Sequence, residues 1–214
     1  MSLRAVCALL AFALGTAPLA AQTPVISPDV ATPPGFGTLR QDDIQMTLRL
    51  ETIEIRFMPL DPRSGNLLAP DAYNSFRKLV LDNRARIDSL ARARGISQPG
   101  IAFVSFFGLA PGAFYDAEML AITVRNRLLR PLGIVSYTPG FMEQRLDPRE
   151  MKSAFYLFEE AIPVLEPFTL VYQGQYMAEW LSKLSRINGE RQRVALRASK
   201  AGALDTAPKP AGVR

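Results

Sequence analysis

Histidine is absent from the 214-residue chain, and the single cysteine is Cys7. Without histidine, the chain has no Ser–His or Cys–His catalytic pair and no imidazole ligand for a metal. It also lacks a C-x-x-C zinc pattern and an Asp-rich calcium loop. These absences exclude the histidine-dependent hydrolases, and we expect neither a metal nor a cofactor.

Residues 1–21 have the pattern of a secretory signal peptide. Arg4 supplies the positive charge, residues 5–14 form an apolar core, and the small residues Ala20 and Ala21 follow. Ten apolar residues are too few to cross a bilayer core, which takes about 20, and no later segment is longer. We therefore expect cleavage before Gln22 and a periplasmic or extracellular protein with no membrane-spanning segment.

Composition divides the rest of the chain into three parts. Residues 22–41 are rich in proline and glycine, which is typical of a linker. Residues 42–197 carry the large apolar side chains and form the predicted domain. Residues 198–214 contain mostly alanine, lysine, proline and glycine, and are predicted to be a disordered tail.

Alternating apolar and polar residues indicate strands in much of the domain. Ile44–Leu50 alternates, and the parity then changes at Ile53, which favours a bulge or a strand that crosses between sheets. Ile101–Phe107 is apolar on both faces, so we expect a central, covered strand. Further strands are predicted at 120–124, 132–137, 152–160 and 168–173. Six or seven short strands between turn residues predict a β-sandwich.

One segment, residues 70–94, has helical periodicity instead. Pro70 suits the first helical position, and Gly95 ends the segment. We expect this inserted helix to lie over the strand Ile101–Phe107. A second, shorter helix is one interpretation of residues 175–187. The predicted core comprises Ile55, Phe57, Phe76, Val80, Phe103, Val104, Ile122, Val124, Phe155, Leu157, Leu170 and Tyr172.

The tetrapeptide Leu-Asp-Pro-Arg occurs twice, at Leu60–Arg63 and Leu146–Arg149. Asp followed by Pro is favoured at the first two positions of a type I turn. A duplicated site is one interpretation, and two similar turns after strands is the interpretation that we favour.

Two kinds of catalytic residue remain to be considered. Ser75 and Lys78 have the S-x-x-K spacing of penicillin-binding proteins and serine β-lactamases, but the S-D-N and K-T-G motifs are absent. The adjacent acids Asp42-Asp43 and Glu159-Glu160 are paired only in sequence, because neighbouring side chains on a strand point to opposite faces. We assign no catalytic, cofactor-binding or metal-binding residue.

Basic and aromatic clusters are the remaining candidates for binding. The helix carries six cations that scatter around its polar sides: Arg77, Lys78, Arg84, Arg86, Arg92 and Arg94. We therefore expect the partner to be an anionic envelope component or an envelope protein, without deciding between them. Export argues against nucleic acid. Phe103, Phe106, Phe107, Phe114 and Tyr115 are expected to pack in the core, since a binding surface requires several to be exposed together.

Residues 146–173 carry a familiar succession of motifs. Leu146–Glu150 forms a Leu-x-Pro-x-Glu turn, Ala154–Glu159 leads to Ile162-Pro163, and Phe168–Tyr172 contains Leu-x-Tyr. This stretch resembles the last hairpin of immunoglobulin-like domains in bacterial extracytoplasmic proteins, although Arg149 replaces their usual glycine. The resemblance implies an immunoglobulin-like sandwich in the envelope, and it implies no activity and no site residues.

The sequence thus predicts an all-β fold with an inserted helix in an exported, non-catalytic protein, a structural or partner-binding module. One alternative is a small exported hydrolase that uses Ser75 and Lys78 or paired carboxylates. Another is an exported regulator, such as a protease inhibitor or a chaperone. Because no histidine titrates near neutrality, we expect stability to be nearly constant from about pH 6 to 8.

Overall fold

The computed structural model describes residues 32–202. The predicted signal peptide, the first half of the predicted linker (residues 22–31) and residues 203–214 lie outside the described residues. The described part is mostly β-structure in three antiparallel sheets, with one long helix between strands and another after them. The predicted β-rich fold is confirmed at this level, and the arrangement is compatible with a β-sandwich.

The elements are given in chain order. The strands are β1 (Met46–Arg49), β2 (Ile53–Pro59), β3 (Gly100–Gly108), β4 (Ala113–Phe114), β5 (Leu120–Val124), β6 (Arg127–Leu129), β7 (Gly133–Ser136), β8 (Arg145–Leu146), β9 (Met151–Phe158), β10 (Thr169–Tyr172) and β11 (Gln175–Met177). The α-helices are α1 (Pro62–Gly65), α2 (Pro70–Ala93) and α3 (Trp180–Lys200). Short 3-10 helices occupy Gln41–Ile44, Ala117–Met119 and Phe141–Glu143.

Two sheets share the core. The five-stranded sheet has the order β1-β2-β3-β9-β7, the four-stranded sheet has the order β11-β10-β5-β6, and β4 pairs with β8. Aromatic rings connect the two large sheets: the centroids of Phe106 in β3 and Tyr172 in β10 are 6.0 Å apart, and Phe57 in β2 is 6.1 Å from Phe168. The strand β3 lies in the middle of its sheet and is covered on both faces, as its two-sided apolar pattern predicts.

The parity change at Ile53 marks a hairpin, so the predicted bulge or crossing strand is wrong. Met46 pairs with Phe57 and Leu48 pairs with Ile55, and the chain reverses at Glu51 and Thr52. A two-residue loop places residues of opposite parity opposite each other. The change of parity therefore keeps the apolar side chains of both strands on one face of the sheet.

The inserted helix forms over almost the predicted span, but in a different place. The described α2 packs against β7 and β9 instead of centrally over β3. Its Leu90 lies on Gly133, where a Cβ atom would come within 2.6 Å of Leu90 Cδ2, so glycine permits this approach. Phe76, Val80 and Phe103 are consequently only half-buried, whereas the other nine predicted core residues are buried.

Four short strands were missed: β4, β6, β8 and β11. The strand β6 follows β5 after a turn at Arg125 and Asn126, and β11 follows β10 after a turn at Gln173 and Gly174. All four turn residues have positive φ, which is characteristic of the two-residue turns that match strand twist. The helix predicted at 175–187 therefore begins only at Trp180.

Both ends of the predicted domain extend further than expected. Ala198–Lys200, assigned from the sequence to the tail, form the last turn of α3. Leu39, assigned to the linker, is buried and forms a parallel bridge with Leu68. Gly37 lies so close to Leu67 that a Cβ atom would be 2.0 Å from its carbonyl oxygen, which fixes glycine at this contact.

The two Leu-Asp-Pro-Arg copies both form turns, closed by the same hydrogen bond. The Ser64 N–H donates to the Asp61 carbonyl oxygen at 3.1 Å, and the Glu150 N–H donates to the Asp147 carbonyl oxygen at 3.0 Å. The turns differ at the arginine: Arg63 continues into α1, whose first residues the Asp61 side chain caps, whereas Arg149 has a φ of 67°. The prediction of two turns is therefore confirmed, but the chain continues differently after each.

Candidate functional site at the β7 edge

The S-x-x-K residues are not brought together. The Ser75 hydroxyl donates to the Asp71 carbonyl oxygen at 3.1 Å, one turn earlier in α2. The Lys78 ammonium donates to the Asp82 carboxylate at 2.8 Å, one turn later. Both side chains are solvent-exposed, and neither contacts the other's polar atom in a pocket. The geometry of an activated serine is therefore not formed at this position.

The adjacent acidic residues have separate partners. Asp43 accepts from the Arg40 backbone N–H and forms an ion pair of 2.8 Å with Arg186. The strand predicted at 152–160 ends at Phe158, so Glu160 lies just after β9, where it pairs with Arg127 at 3.2 Å. Within residues 32–202, no group of three acidic or cysteine side chains is arranged to hold a metal ion.

The sequence-adjacent aromatic residues divide between core and surface. Phe106 stacks on Tyr115 at 4.2 Å inside the core, and Phe103 contacts Phe155 at 5.1 Å. Phe114 is exposed, and the Arg145 guanidinium lies 4.9 Å from its ring centroid. These residues therefore share no common binding surface.

Among the described residues, the most strongly raised pKa values are those of buried tyrosines, which belong to the core. Burial raises the pKa of the Tyr156 and Tyr115 hydroxyls well above the ordinary value. Tyr156 donates to the Ala117 carbonyl oxygen at 2.9 Å, and Tyr172 accepts from the Asp116 N–H at 2.8 Å. These hydroxyls satisfy buried backbone groups, so their perturbed pKa values reflect packing.

A different feature is the outer edge of β7, an edge strand of the five-stranded sheet. The two large sheets end in four edge strands: β1, β7, β11 and β6. The edge of β1 is blocked, because the Thr47 N–H donates to the Glu179 carboxylate at 3.0 Å, just before α3. The strands β6 and β11 have only three residues each, which limits the hydrogen bonds that their edges offer.

The register identifies which groups of β7 point outward. The Tyr137 N–H donates to the Ser153 carbonyl oxygen at 2.9 Å, on the side of β9. Hydrogen-bonded residues alternate along an antiparallel strand, so the N–H groups of Ile134 and Ser136 point away from β9. Within the described part of the chain, this outer side receives one hydrogen bond, from the Arg86 guanidinium to the Ser136 carbonyl oxygen at 2.6 Å.

Open space lies along both sides of this edge. Beside the contact of α2 with β7, an open groove of about 620 Å³ lies along the small residues Ala85, Ser89 and Ala93 of the helix. On the other side, a groove of about 550 Å³ reaches the segment Tyr137–Glu143. A third groove, of about 490 Å³, continues past Arg130 toward Arg94. These three open grooves adjoin the edge of β7 between α2 and the 3-10 helix Phe141–Glu143, and together they are called the channel below.

Exposed apolar side chains border this channel. Leu132 precedes β7, Tyr137 follows it, and Met142 lies on the opposite wall, with relative exposures of 40%, 49% and 55%. Such side chains gain free energy when a partner removes them from water, at about 25 cal/mol per Å² of apolar area. These side chains adjoin the outward N–H groups of β7, so one partner can contact both.

The channel is positively charged. Arg86, Arg94 and Arg130 line it, and none of them has an ion pair among residues 32–202. Glu118 lies at the Arg130 end, while Glu143 and Glu150 share the nearly buried Lys152, at 3.1 Å and 3.7 Å. The three arginines and Lys152 still exceed these three carboxylates by one positive charge, so the site has a net attraction for anions.

A separate groove, between α2 and residues 96–101, is less suited to a partner. It contains Arg84 and Asp88, which form an ion pair of 2.8 Å with each other. Asp61, at its other end, is held by Arg63 at 2.7 Å. These charges are therefore largely satisfied within the chain.

No protein-family model matches the sequence, and comparisons with curated proteins and with solved structures find no significant match. No helix between residues 32 and 202 is both long enough and apolar enough to cross a membrane. The evidence for function therefore comes from the residues and geometry described above.

Sequence reasoning located the strand at 132–137 but did not show that it lies at the edge of the sheet. An edge strand and a central strand of similar length have similar sequence patterns, and the pairing with β9 joins residues about twenty positions apart. Arg86 was noted only as one of several scattered helix cations. The available signal was the proximity of Pro131 and Pro139, which restrict the strand to a short segment.

Proposed function

We propose that this chain is an exported, non-catalytic binding module, which takes an extended segment of a partner protein as an additional strand beside β7. The observation that carries the proposal is the outward pair of N–H groups at Ile134 and Ser136, lying between two walls of a channel. Strand addition obtains affinity from backbone hydrogen bonds and specificity from side-chain pockets.

Edge protection elsewhere in the fold supports this assignment. Exposed strand edges promote unwanted association, and folded proteins usually block or shorten them. Here Glu179 accepts from an outward N–H of β1, whereas Arg86 contacts only the Ser136 carbonyl oxygen of β7 and leaves the outward N–H groups of Ile134 and Ser136 beside exposed apolar residues. Because this protein blocks the edge of β1, the exposed edge of β7 is best explained as a binding site.

We further infer an immunoglobulin-like sandwich. In immunoglobulin-like domains, one sheet has the strand order A-B-E-D and the other contains G-F-C, extended by C′ in some types. The orders β2-β3-β9-β7 and β11-β10-β5-β6 correspond to these when read in chain order, with β1 added outside β2. The resemblance over residues 146–173 supports the same inference, and the signal-like residues 1–21 support export to the envelope.

Of the two alternatives, the hydrolase has no supporting observation among residues 32–202. Ser75 and Lys78 bind Asp71 and Asp82 instead of each other, and in the adjacent acid pairs Asp43 and Glu160 form ion pairs with arginines. An exported regulator, such as an inhibitor or a chaperone, also acts by binding and is compatible with the same edge.

Selection from a displayed library of random 12-residue peptides tests the β7 site. Ser136→Pro removes an outward N–H while keeping the hydrogen bonds toward β9. The matched control is Leu128→Pro in the edge strand β6: the two-residue turn places the hydrogen-bonded pair at Val124 and Arg127, so the Leu128 N–H also points outward.

We expect selected peptides to lose at least about tenfold in affinity with Ser136→Pro, because a backbone hydrogen bond is lost and the edge is obstructed. Leu128→Pro should leave the affinity unchanged. Circular dichroism and urea midpoints of both variants provide the folding control. Failure to select any peptide, or equal loss with the two proline variants, would contradict the β7 site.

A further inference from the structure

We propose that the segment bound at β7 is acidic, with Asp or Glu side chains four residues apart on the face that meets α2. The inference rests on the proposed β7 site and specifies its partner. It follows from the charge of the channel and from the alignment of α2 with the strand.

The first step is the availability of the arginines. Arg86 uses one N–H group to bind the Ser136 carbonyl oxygen, and a guanidinium has five. Its remaining donors lie beside the outward N–H of the same residue. Arg94 and Arg130 have no ion pair in the described range, so neither must leave a partner to bind a carboxylate. Arginine binds carboxylates well because its planar fork donates two parallel hydrogen bonds.

The second step is the spacing. The helix α2 runs beside β7 in the opposite direction: Arg86 meets Ser136, Leu90 packs on Gly133, and Arg94 shares a cavity with Arg130. Eight residues of helix, from Arg86 to Arg94, span about 12 Å. Four residues of an extended strand span about 13 Å and return to the same face. Carboxylates at positions i and i+4 therefore match the two arginines.

The third step concerns the small residues between these arginines. Ala85, Ser89 and Ala93 line the open groove of about 620 Å³ beside the contact of α2 with β7. The side chain between the two acids, at position i+2, points to this same face. We therefore expect a medium-sized apolar residue there, and the opposite face of the segment to contact Met142.

Charge also argues against a second copy of this chain as the occupant. Antiparallel pairing of β7 with its own copy would bring two sets of Arg86, Arg94 and Arg130 to one junction. Like charges at such positions are destabilising. The net charge of the chain, +5, acts in the same direction.

The test uses 12-residue peptides with both termini blocked and measures binding to the purified chain by fluorescence anisotropy. One peptide alternates Val and Thr with Glu at positions i and i+4. A second has Lys in place of both Glu residues, and a third has Gln. The protein variants are Arg94→Gln combined with Arg130→Gln, Arg86→Gln, Ser136→Pro, and the control Arg77→Gln, an exposed arginine of α2 outside the channel.

We expect the Glu peptide to bind at least about tenfold more tightly than the Lys peptide at low salt. Arg94→Gln with Arg130→Gln, and Arg86→Gln, should each weaken the Glu peptide severalfold and leave the Gln peptide unchanged. Arg77→Gln should have no effect, and Ser136→Pro should weaken all bound peptides.

If the three peptides bind equally and all lose affinity with Ser136→Pro, the β7 site is supported and the acidic preference is overturned. If no peptide binds, the β7 site is overturned as well. Binding of the Glu peptide that is insensitive to Ser136→Pro indicates general attraction to a basic surface, and this also overturns the inference.

Two other occupants are tested with the same variants. Binding to vesicles containing phosphatidylglycerol that is lost with Arg94→Gln and Arg130→Gln, without peptide binding, would identify a membrane and overturn the inference. A dimer in sedimentation that Ser136→Pro converts to monomer would identify a second copy and overturn it likewise.

Discussion

At the scale of single residues, Arg149 occupies a conformation that suits glycine. Arg149 is the third residue of a turn that is closed by a hydrogen bond from the Glu150 N–H to the Asp147 carbonyl oxygen, and its φ is 67°. A left-handed conformation costs an L-residue about 1–2 kcal/mol, and glycine avoids most of this cost. We expect Arg149→Gly to raise the free energy of unfolding by roughly 0.5–1 kcal/mol. The gain is smaller than the full cost of the left-handed conformation, because glycine also makes the unfolded chain more flexible.

Urea denaturation of the purified chain measures this change. Arg149→Ala is the control, since it removes the same side chain and keeps the unfavourable φ. Equal stability of the Gly and Ala variants would show that the backbone conformation of residue 149 is not the cause.

At the scale of elements, Glu190 joins α3 to the segment before β1. Its carboxylate is completely buried and accepts from the Thr38 N–H at 2.9 Å, the Thr38 hydroxyl at 2.8 Å and the Arg193 guanidinium at 2.8 Å. Arg197 binds the same carboxylate and also donates to the Phe36 carbonyl oxygen. One acidic side chain thus holds an element from each end of the domain.

We expect Glu190→Gln to lower the free energy of unfolding by about 2 kcal/mol, through the loss of charged hydrogen bonds at a buried position. The partial exposure of both arginines keeps the effect below that of a fully buried ion pair. Asp88→Asn, which breaks the exposed helix pair with Arg84, should cost less than about 0.5 kcal/mol. Urea midpoints compare the two, and equal effects would contradict the role of Glu190.

At the scale of the whole molecule, the titrating groups predict the pH profile of stability. Burial alone would raise the pKa of Glu190, but the hydrogen bonds from Arg193, Thr38 and Arg197 outweigh it and lower the pKa. The stability that Glu190 contributes is therefore present above the unfolded pKa of about 4.3, and is lost as the pH falls through it toward the folded pKa.

At alkaline pH, stability changes with pH in the opposite direction. Burial raises the pKa of Tyr115, Tyr156 and Tyr172, so above about pH 10 the unfolded chain releases protons that the folded chain retains. Stability should then fall as the pH rises. Since no histidine is present, we expect a plateau from about pH 6 to 8. Urea midpoints from pH 3 to 11 at constant ionic strength measure the profile, and a steep slope within the plateau would indicate a buried carboxylate that titrates there.

The sequence predicted well those helices and strands that are marked by characteristic residues or patterns. Pro70 and Gly95 defined α2 almost to the residue, and the two-sided apolar run defined β3 as a central strand. The turns before β6 and β11 were missed because their first residues, Arg125 and Gln173, are unusual at positive φ, although Asn126 and Gly174 are typical there. Glu190 gave no signal, since its partner Thr38 is 152 positions away in the sequence.

The sequence by itself determined the β-rich class, the long helix, and the absence of histidine chemistry, because periodicity, turn residues and composition act locally. Tertiary structure alone decided that α2 packs beside β7, that Glu179 blocks one sheet edge, and that β7 keeps its outer edge in a charged channel. The physical reason is that a strand becomes an edge only when the order of strands is established. That order depends on contacts between residues far apart in the chain, which no local pattern encodes.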